Sequence, residues 1–271
     1  MSEQAEHARR FLELHHGERP LLLPNPWDRG SAKLLVSLGF EALATTSSGA
    51  AATLGKLDGA LTREQTLANA AAIVEAGGVP VSADLENGFA TDAAGVGETV
   101  KLALEAGLAG CSIEDYSGDE LAPIYELGEA SERVAAAAEA AHGSSERLVL
   151  TARAENHIHG RDDLDDTIAR LRAYETAGAD VLYAPGLTDL QEIRRVVEAV
   201  ELPVNVLARP GGPTVAELAS VGVRRVSIGG AFAFAALGAV VEAARELRED
   251  GTYGFWERAK VGGKAAREAF A

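Results

Sequence analysis

Residues 148–186 read LVLTARAENHIHGRDDLDDTIARLRAYETAGADVLYAPG and contain one full repeat of the chain's architecture. Positions 148–155 and 180–186 are strand-length runs rich in apolar and β-branched residues. Between them, Leu164, Ile168, Leu171 and Tyr174 recur at helical spacing, and Gly178 ends the pattern. Strand, helix and strand in about 40 residues make one βαβ unit, which implies two parallel strands.

Working outward, the same unit recurs along the chain. Further strand-length runs fall at 21–23, 41–46, 79–85, 110–115, 203–209 and 224–230, which brings the total to eight. The stretches between them read as helices. Residues 62–76 open on Thr62 with Gln65 three positions on, the sign of a capping box, and Gly77–Gly78 stops the run. Residues 188–200, 214–221 and 231–247 are further helical stretches, the last apolar along one face. Eight strands alternating with helices over about 250 residues predict an α/β fold, the (β/α)8 TIM barrel. The competing doubly wound sheet usually opens with a glycine-rich turn. Here the turn after the first strand is Pro24-Asn25-Pro26-Trp27-Asp28, which lacks those glycines.

The 271 residues show no linker or low-complexity tract, so residues 1–271 are expected to form a single barrel domain. A leading helix carrying Phe11, Leu12 and Leu14 either plugs the barrel floor or packs on a neighbour, and residues 255–270 form a final amphipathic helix. Hydrophobic residues make up 47% of the chain and charged residues 24%, an ordinary globular balance. The formal net charge of −16 disfavours nucleic-acid and anionic-membrane partners. A single cysteine, Cys111, excludes an internal disulfide and a cysteine-rich zinc site. No apolar run reaches the ~20 residues of a membrane span, and the N-terminus lacks a secretory layout. The expectation is a cytoplasmic protein.

In this architecture the active site lies at the C-terminal ends of the strands. Polar residues collect there: Asn25 and Asp28, Thr45 to Gly49, Asp84 and Glu86, Glu114 and Asp115, Arg153, Glu155 and His157, then Asn205 and Arg209. Asp84 and Glu86 are two apart, so on an extended chain both point to one face, and Glu114 comes at the same height on the next strand. Three carboxylates at one barrel mouth repel unless a cation neutralises them, and oxygen donors without His or Cys suit Mg²⁺ or Mn²⁺. The alternative is that these acids cap helices or pair with Arg and Lys. Arg153 reads either as a bidentate clamp for a substrate carboxylate or as a structural partner of Glu114. Ser47, Ser48, Gly49 and Ala50 are small enough for their N–H groups to approach an anion. Asn205 joins these as a substrate-binding candidate. His157 and His159 are acid/base candidates or plain surface residues, and Cys111 reads as core. A metal, an arginine and an anion cradle together suggest a chelating α-keto or α-hydroxy carboxylate, with C–C cleavage through an enolate.

Residues 41–55 (EALATTSSGAAATLG), 84–88 (DLENG), 113–115 (IED), 153–155 (RAE) and 180–186 (DVLYAPG) resemble the isocitrate lyase/phosphoenolpyruvate mutase superfamily. The resemblance runs from about residue 21 to residue 230. It implies a barrel whose last helix is swapped between subunits in homodimers or homotetramers. It implies Mg²⁺ (or Mn²⁺) and a small carboxylic acid substrate passing through an α-keto-acid or enolate stage. By motif position, Asp84 is the direct metal ligand, while Asp58, Glu86 and Glu114 hold metal-bound water. Ser48, Gly49 and Ala50 take the substrate carboxylate, and Arg153 faces the enolate oxygen, which makes Arg153 and Glu114 the catalytic candidates.

The chain also departs from the superfamily pattern. Its carbon–carbon lyases carry a Lys-Lys-Cys-Gly-His loop after strand 4, and its phosphonopyruvate-processing members carry Lys and Asn there. This chain has Tyr116-Ser117-Gly118-Asp119-Glu120-Leu121-Ala122-Pro123 instead. The remaining resemblance is to the oxaloacetate decarboxylase-like and dialkylmalate lyase-like branch. The expected activity is cleavage of a C–C bond in a small 2-keto or malate-like acid. Phosphonopyruvate P–C chemistry and a non-catalytic dicarboxylate-binding barrel are the alternatives.

Overall fold

The computed structural model describes residues 2–143 and 146–271. Eight parallel strands are present where the runs predict them: β1 (Leu21–Leu23), β2 (Leu43–Ala44), β3 (Val81–Asp84), β4 (Gly110–Glu114), β5 (Val149–Arg153), β6 (Val181–Tyr183), β7 (Val204–Leu207) and β8 (Arg225–Ser227). They pair in the order β1-β8-β7-β6-β5-β4-β3-β2. The remaining seam, between β1 and β2, carries one backbone bond from Ala44 N to Pro24 O at 3.1 Å. The sheet is thus a nearly closed (β/α)8 TIM barrel.

The helices between the strands owe their limits to local chemistry. In α4 (Arg63–Gly77), Thr62 accepts from Gln65 N while the Gln65 side chain accepts from Thr62 N, the predicted capping box. Gly78, at φ +62°, then ends the helix in a conformation other residues resist. Helix α7 (Leu164–Thr176) is capped by Asp163, and α8 (Leu190–Ala199) by Asp189. The sequence pattern suggests a start for α8 near Thr188, but the Asp189 carboxylate takes the N–H groups of Gln191 and Glu192 and fixes the start there.

Helix α1 (Glu3–Leu14) closes the floor. Phe11, fully buried, packs with Leu21, Ala109, Val149 and Val181, all at or just before the starts of their strands. Gly110 makes room for it, since a Cβ there would sit 2.8 Å from Phe11 Cε1. Of the two sequence readings for this helix, the floor plug is the one observed. The main core lies between the outer face of the barrel and the surrounding helices α2 (Arg29–Ser37), α4, α5 (Ala93–Glu105), α6 (Leu127–His142), α7 and α8. Cys111 lies in that core, and burial pushes its thiol up to about 12.

Helix α10 (Ala231–Arg245) behaves differently. Of its side chains only Ala233 is buried, and Phe234, Val240 and Val241 face outward. Helix α11 (Trp256–Phe270) follows a tight turn at Gly251 and returns to pack on α2, with Phe270 beside Gly30. Among the described residues, no helix is long and apolar enough to cross a membrane.

Candidate active site

The C-terminal mouth is a cleft made of two connected hollows. One, of about 210 Å³, descends into the barrel between Ser47, Asp84 and Arg153. The other, of about 560 Å³, opens outward past Glu86, Glu114, Tyr116 and His159. Ser47, Asp58 and Arg153 border both.

Arg153 is the centre. It ends β5, and its three nitrogens each meet a carboxylate: Nη1 with Asp84 Oδ1 at 3.0 Å, Nη2 with Glu114 Oε2 at 3.1 Å, and Nε with Glu155 Oε1 at 2.9 Å. The Tyr183 ring lies 5.2 Å from its Cζ. Burial works against the Arg153 charge, but Glu114, Glu155 and Asp84 hold it protonated above the ordinary arginine range. Burial also lifts the Glu114 and Glu155 carboxyls, and Arg153 pulls each back down. Both sequence readings of Arg153 stay open on geometry. It is an ion-pair partner of Glu114, and it lies where a substrate anion enters.

Asp84 and Glu86 do not share a face by strand alternation, as the sequence spacing suggested. β3 ends at Asp84, and Glu86 sits in a left-handed turn at φ +49°. The turn is held by Gly88 N to Leu85 O at 2.8 Å, and by Glu114 N to Glu86 O at 3.0 Å. Left-handed backbone at a non-glycine residue is uncommon and tends to occur at functional turns. The side chain still reaches the cleft, by a route the period-two argument did not contain. Arg133, buried on α6, fastens this loop from behind, with Nη2 donating to the carbonyls of Asn87 and Ala90 at 2.8 Å each.

The Glu86 carboxyl is pushed up to about 7, first by burial, then by the charges of Asp84 and Asp58. Its Oε1 is buried with no hydrogen-bond partner among the described residues. Asp58, on the loop before α4, borders both hollows. Of the four predicted acids, Asp84 and Glu114 pair with the Arg153 guanidinium, as does Glu155, while Asp58 and Glu86 line the same cleft. Among the described residues, no group of three His, Cys, Asp or Glu side chains is gathered closely enough to grip one ion directly. Among the described residues Asp84 Oδ2 takes only the Ser47 N–H, at 3.4 Å, so its lone pairs are under-used. Hard oxygen donors, negative excess and an orphaned carboxylate oxygen make a donor set that fits a hard divalent cation partly hydrated.

The small-residue stretch is the first turn of α3 (Ser47–Thr53), capped by Thr46. Ser47 and Ser48 border the cleft. Gly49 and Ala50 do not: the Gly49 N–H goes to Thr46 Oγ1 at 3.4 Å, and the Ala50 N–H to Thr46 O at 2.9 Å. Gly49 is there for packing, since a Cβ would fall 2.6 Å from Thr46 Cγ2 and 3.0 Å from Trp27 Cβ. Asn205 borders the inner hollow, its amide donating to Ser227 Oγ and its Oδ1 accepting from Arg225.

Other residues at strand ends have structural duties. Asp115 is buried, accepting from Glu155 N, Arg170 Nη1 and Tyr174 Oη. Asp28 caps α2, Arg209 is exposed, and the buried Asn25 bridges Ile228 N and Gly229 N to Thr45 O. Glu155 and Tyr183 lie outside the candidate sets drawn from the sequence, whereas His159 is one of its acid/base candidates. Glu155 completes the Arg153 fork, and Tyr183 borders the inner hollow. His159 stacks flat on Tyr116 at 4.0 Å between centroids, with Nε2 at 4.0 Å from Glu155 Oε2. Burial lowers the His159 pKa, which favours the neutral ring. For His159 the only sequence signal was its place after strand 5.

The chain is similar to known proteins over most of its length. The phosphoenolpyruvate phosphomutase family model matches residues 11–248. The 2,3-dimethylmalate lyase of Eubacterium barkeri is 32% identical over 90% of this chain and 87% of its own length. Oxaloacetate decarboxylase 2 of Pseudomonas fluorescens is 29% identical over 94% and 89%. A crystal structure from Burkholderia cenocepacia, described only as a lyase/mutase candidate, is 52% identical with a TM-score of 0.96, covering 100% of this chain and 98% of that one. The chain belongs to the phosphoenolpyruvate phosphomutase family and is an enzyme of the isocitrate lyase/phosphoenolpyruvate mutase superfamily.

Proposed function

We propose that the chain is a divalent-metal-dependent lyase that breaks a C–C bond next to the carboxylate of a small 2-keto or malate-like acid. The observation that carries this reading is the ring of acids around Arg153, with one Glu86 oxygen left unpaired in a buried position. Asp84 would hold Mg²⁺ or Mn²⁺ directly, and Asp58, Glu86 and Glu114 would hold it through water. When bound, the cation supplies Lewis acidity to a chelating carboxylate and its neighbouring oxygen.

The chain's own residues do the rest. Arg153 lies in the cleft wall with its fork fixed by Glu114 and Glu155, so it stands ready for negative charge that grows on an enolate oxygen. The Ser47 N–H and the Ser48 side chain border the place where a substrate carboxylate enters. The floor plug and the packed barrel keep water out from below. The stacked Tyr116 and His159 rings form the outer edge and set how large a substituent fits. The exposed apolar face of α10 is covered, on this reading, by a second copy of the chain.

Two named relatives, a dimethylmalate lyase and an oxaloacetate decarboxylase, support carbon–carbon over phosphorus–carbon chemistry. The acidic loop with Asp119 and Glu120 does too, because it repels a multiply charged phosphonate. The test is carbon-13 NMR of metal-free chain with a panel of 2-keto and 2-hydroxy acids, phosphonopyruvate included, before and after Mg²⁺. Mg²⁺-dependent cleavage of a carboxylic acid, halted by EDTA, is expected. Phosphate release alone, or binding without turnover across the panel, would contradict it.

A further inference from the structure

Breaking a C–C bond leaves an electron pair on carbon, and that carbon must gain a proton before product leaves. The loop 116–123 carries no Cys, Lys or His for that step. Most titratable side chains bordering the cleft are engaged otherwise. Asp84, Glu114 and Glu155 pair with Arg153, and Asp58 and Glu86 are the remaining acids assigned to the cation. Burial pushes the Tyr183 hydroxyl up to about 12. Cys111 lies in the outer core. His157 turns toward α7, with Nε2 at 3.1 Å from Thr167 Oγ1 and Nδ1 at 3.6 Å from Asp162 Oδ1.

His159 is placed differently. It borders the outer hollow with Glu86, Glu114, Arg153 and Tyr116. No described residue hydrogen-bonds to either of its ring nitrogens, and Nε2 has only Glu155 Oε2 nearby, at 4.0 Å. Glu155 Oε1 is in turn 2.9 Å from Arg153 Nε, so the imidazole stands one side chain away from the central guanidinium. The ring is held without spending its nitrogens. Tyr116 stacks on it at 4.0 Å and 8° between planes, and Tyr116 is itself fixed by an antiparallel bridge to Ile124. The turn Asn156–His159 is fastened by His159 N to Glu155 O at 3.3 Å and by Asn156 Nδ2 donating to Asp166 Oδ2 at 2.8 Å. The His159 side chain is 26% exposed, so solvent can exchange protons with it. Burial favours the neutral ring, the form that takes up a proton.

We propose that His159 is the proton carrier of the reaction, delivering a proton to the carbon that the broken C–C bond leaves behind. This rests on the lyase reading of the cleft and adds the acid/base group that the cleft otherwise lacks. For a malate-like acid, the neutral imidazole takes the hydroxyl proton while the O–H pair forms the new C=O bond and the C–C pair passes into the enolate. The imidazolium N–H then breaks, and its proton forms the new C–H bond. For a 2-keto acid losing carbon dioxide no hydroxyl proton is freed, and the imidazole takes its proton from water instead. The ring ends neutral in both cases, and no oxidant or reductant is consumed.

The test is proton NMR of the Mg²⁺-loaded full chain in heavy water, following exchange of carbon-bound hydrogen in pyruvate, and in propionate with pyruvate present. Pyruvate stands for cleavage that leaves the 2-keto acid as the enolate, and propionate for cleavage that leaves the other half as the enolate. Wild type should exchange at least one of them, and His159→Asn should do so at least ~100-fold more slowly, the reach of one general acid/base group. His159→Gln should match His159→Asn. Oxalate has the shape and charge of an enolate but no carbon to protonate, so in calorimetry with Mg²⁺ both variants should bind it within ~3-fold of wild type. Tyr116→Phe keeps the stacked ring and should keep exchange within ~3-fold. No exchange by wild type, exchange in His159→Asn within ~3-fold of wild type, oxalate affinity that falls as far as exchange does, or a loss in Tyr116→Phe as deep as that in His159→Asn would each overturn the proposal. Wild type that binds oxalate with Mg²⁺ but exchanges nothing keeps the cation site and removes His159. Exchange that depends on His159 without oxalate binding does the reverse.

Discussion

Arg153 and Asp84 meet across an intervening strand: Nη1 of Arg153, at the end of β5, lies 3.0 Å from Oδ1 of Asp84, at the end of β3. Glu114, on the strand between them, takes Nη2 at 3.1 Å. One guanidinium therefore ties three neighbouring strand ends together at the mouth, which a point charge cannot do with the same geometry.

Arg153→Lys tests that fork. Lysine keeps the charge but cannot offer three nitrogens in a plane to Asp84, Glu114 and Glu155 at once. We expect kcat on the substrate identified by NMR to fall by ~100-fold or more, with a smaller change in KM. Steady-state kinetics at fixed Mg²⁺ measure this, and a kcat within about threefold of wild type would show that the fork is structural only.

Glu86 gives the metal-free chain a distinct pH response. Its carboxyl is raised from 4.5 to about 7, mainly by burial, then by Asp84 and Asp58. Between those values the folded chain holds a proton that the unfolded chain has released, so this group's contribution to stability falls as pH rises from about 4.5 to 7 and is flat beyond. Glu86→Gln removes the penalty. Its melting temperature should match wild type near pH 4.5 and exceed it at pH 8. A difference that does not grow with pH contradicts the assignment.

Asp115 tests the boundary between scaffold and site. It is 2% exposed and accepts from Arg170, Tyr174 and the Glu155 backbone. Asp115→Ala leaves Arg170 in the interior with one partner fewer. The expected loss is ~3–5 kcal/mol in urea unfolding, the usual cost of breaking a buried pair. Metal affinity of the folded fraction should stay near wild type, because Asp115 faces away from the cleft. A loss below ~1 kcal/mol would place the pair among weak surface bridges.

What the sequence made legible follows from periodicity and from chain geometry. The strands and helices were readable because parallel barrel strands are short apolar runs, and caps such as Thr62 and stops such as Gly78 carry their chemistry locally. Asp84, Glu114 and Arg153 were readable because they close strands at a face where chemistry collects. Glu86 reaches the cleft through a left-handed turn, and no spacing rule contains that φ. Gly49 and Ala50 looked like an anion cradle, but Thr46 takes their N–H groups once the helix forms. The inward direction of Arg225 was not legible either, since it depends on Asn205, Thr151 and His15 arriving from three other elements. The Tyr116–His159 stack likewise joins two loops that sequence distance keeps apart.

The most direct measurement of the central claim is Mn²⁺ binding followed by electron paramagnetic resonance, on wild type and on Asp84→Asn, with and without oxalate. One bound Mn²⁺ per chain is expected in wild type, tightened by oxalate, with an affinity at least ~10-fold weaker in Asp84→Asn. No bound Mn²⁺ in wild type, or equal affinity in the variant, would leave the acids around Arg153 as an ion-pair network and nothing more.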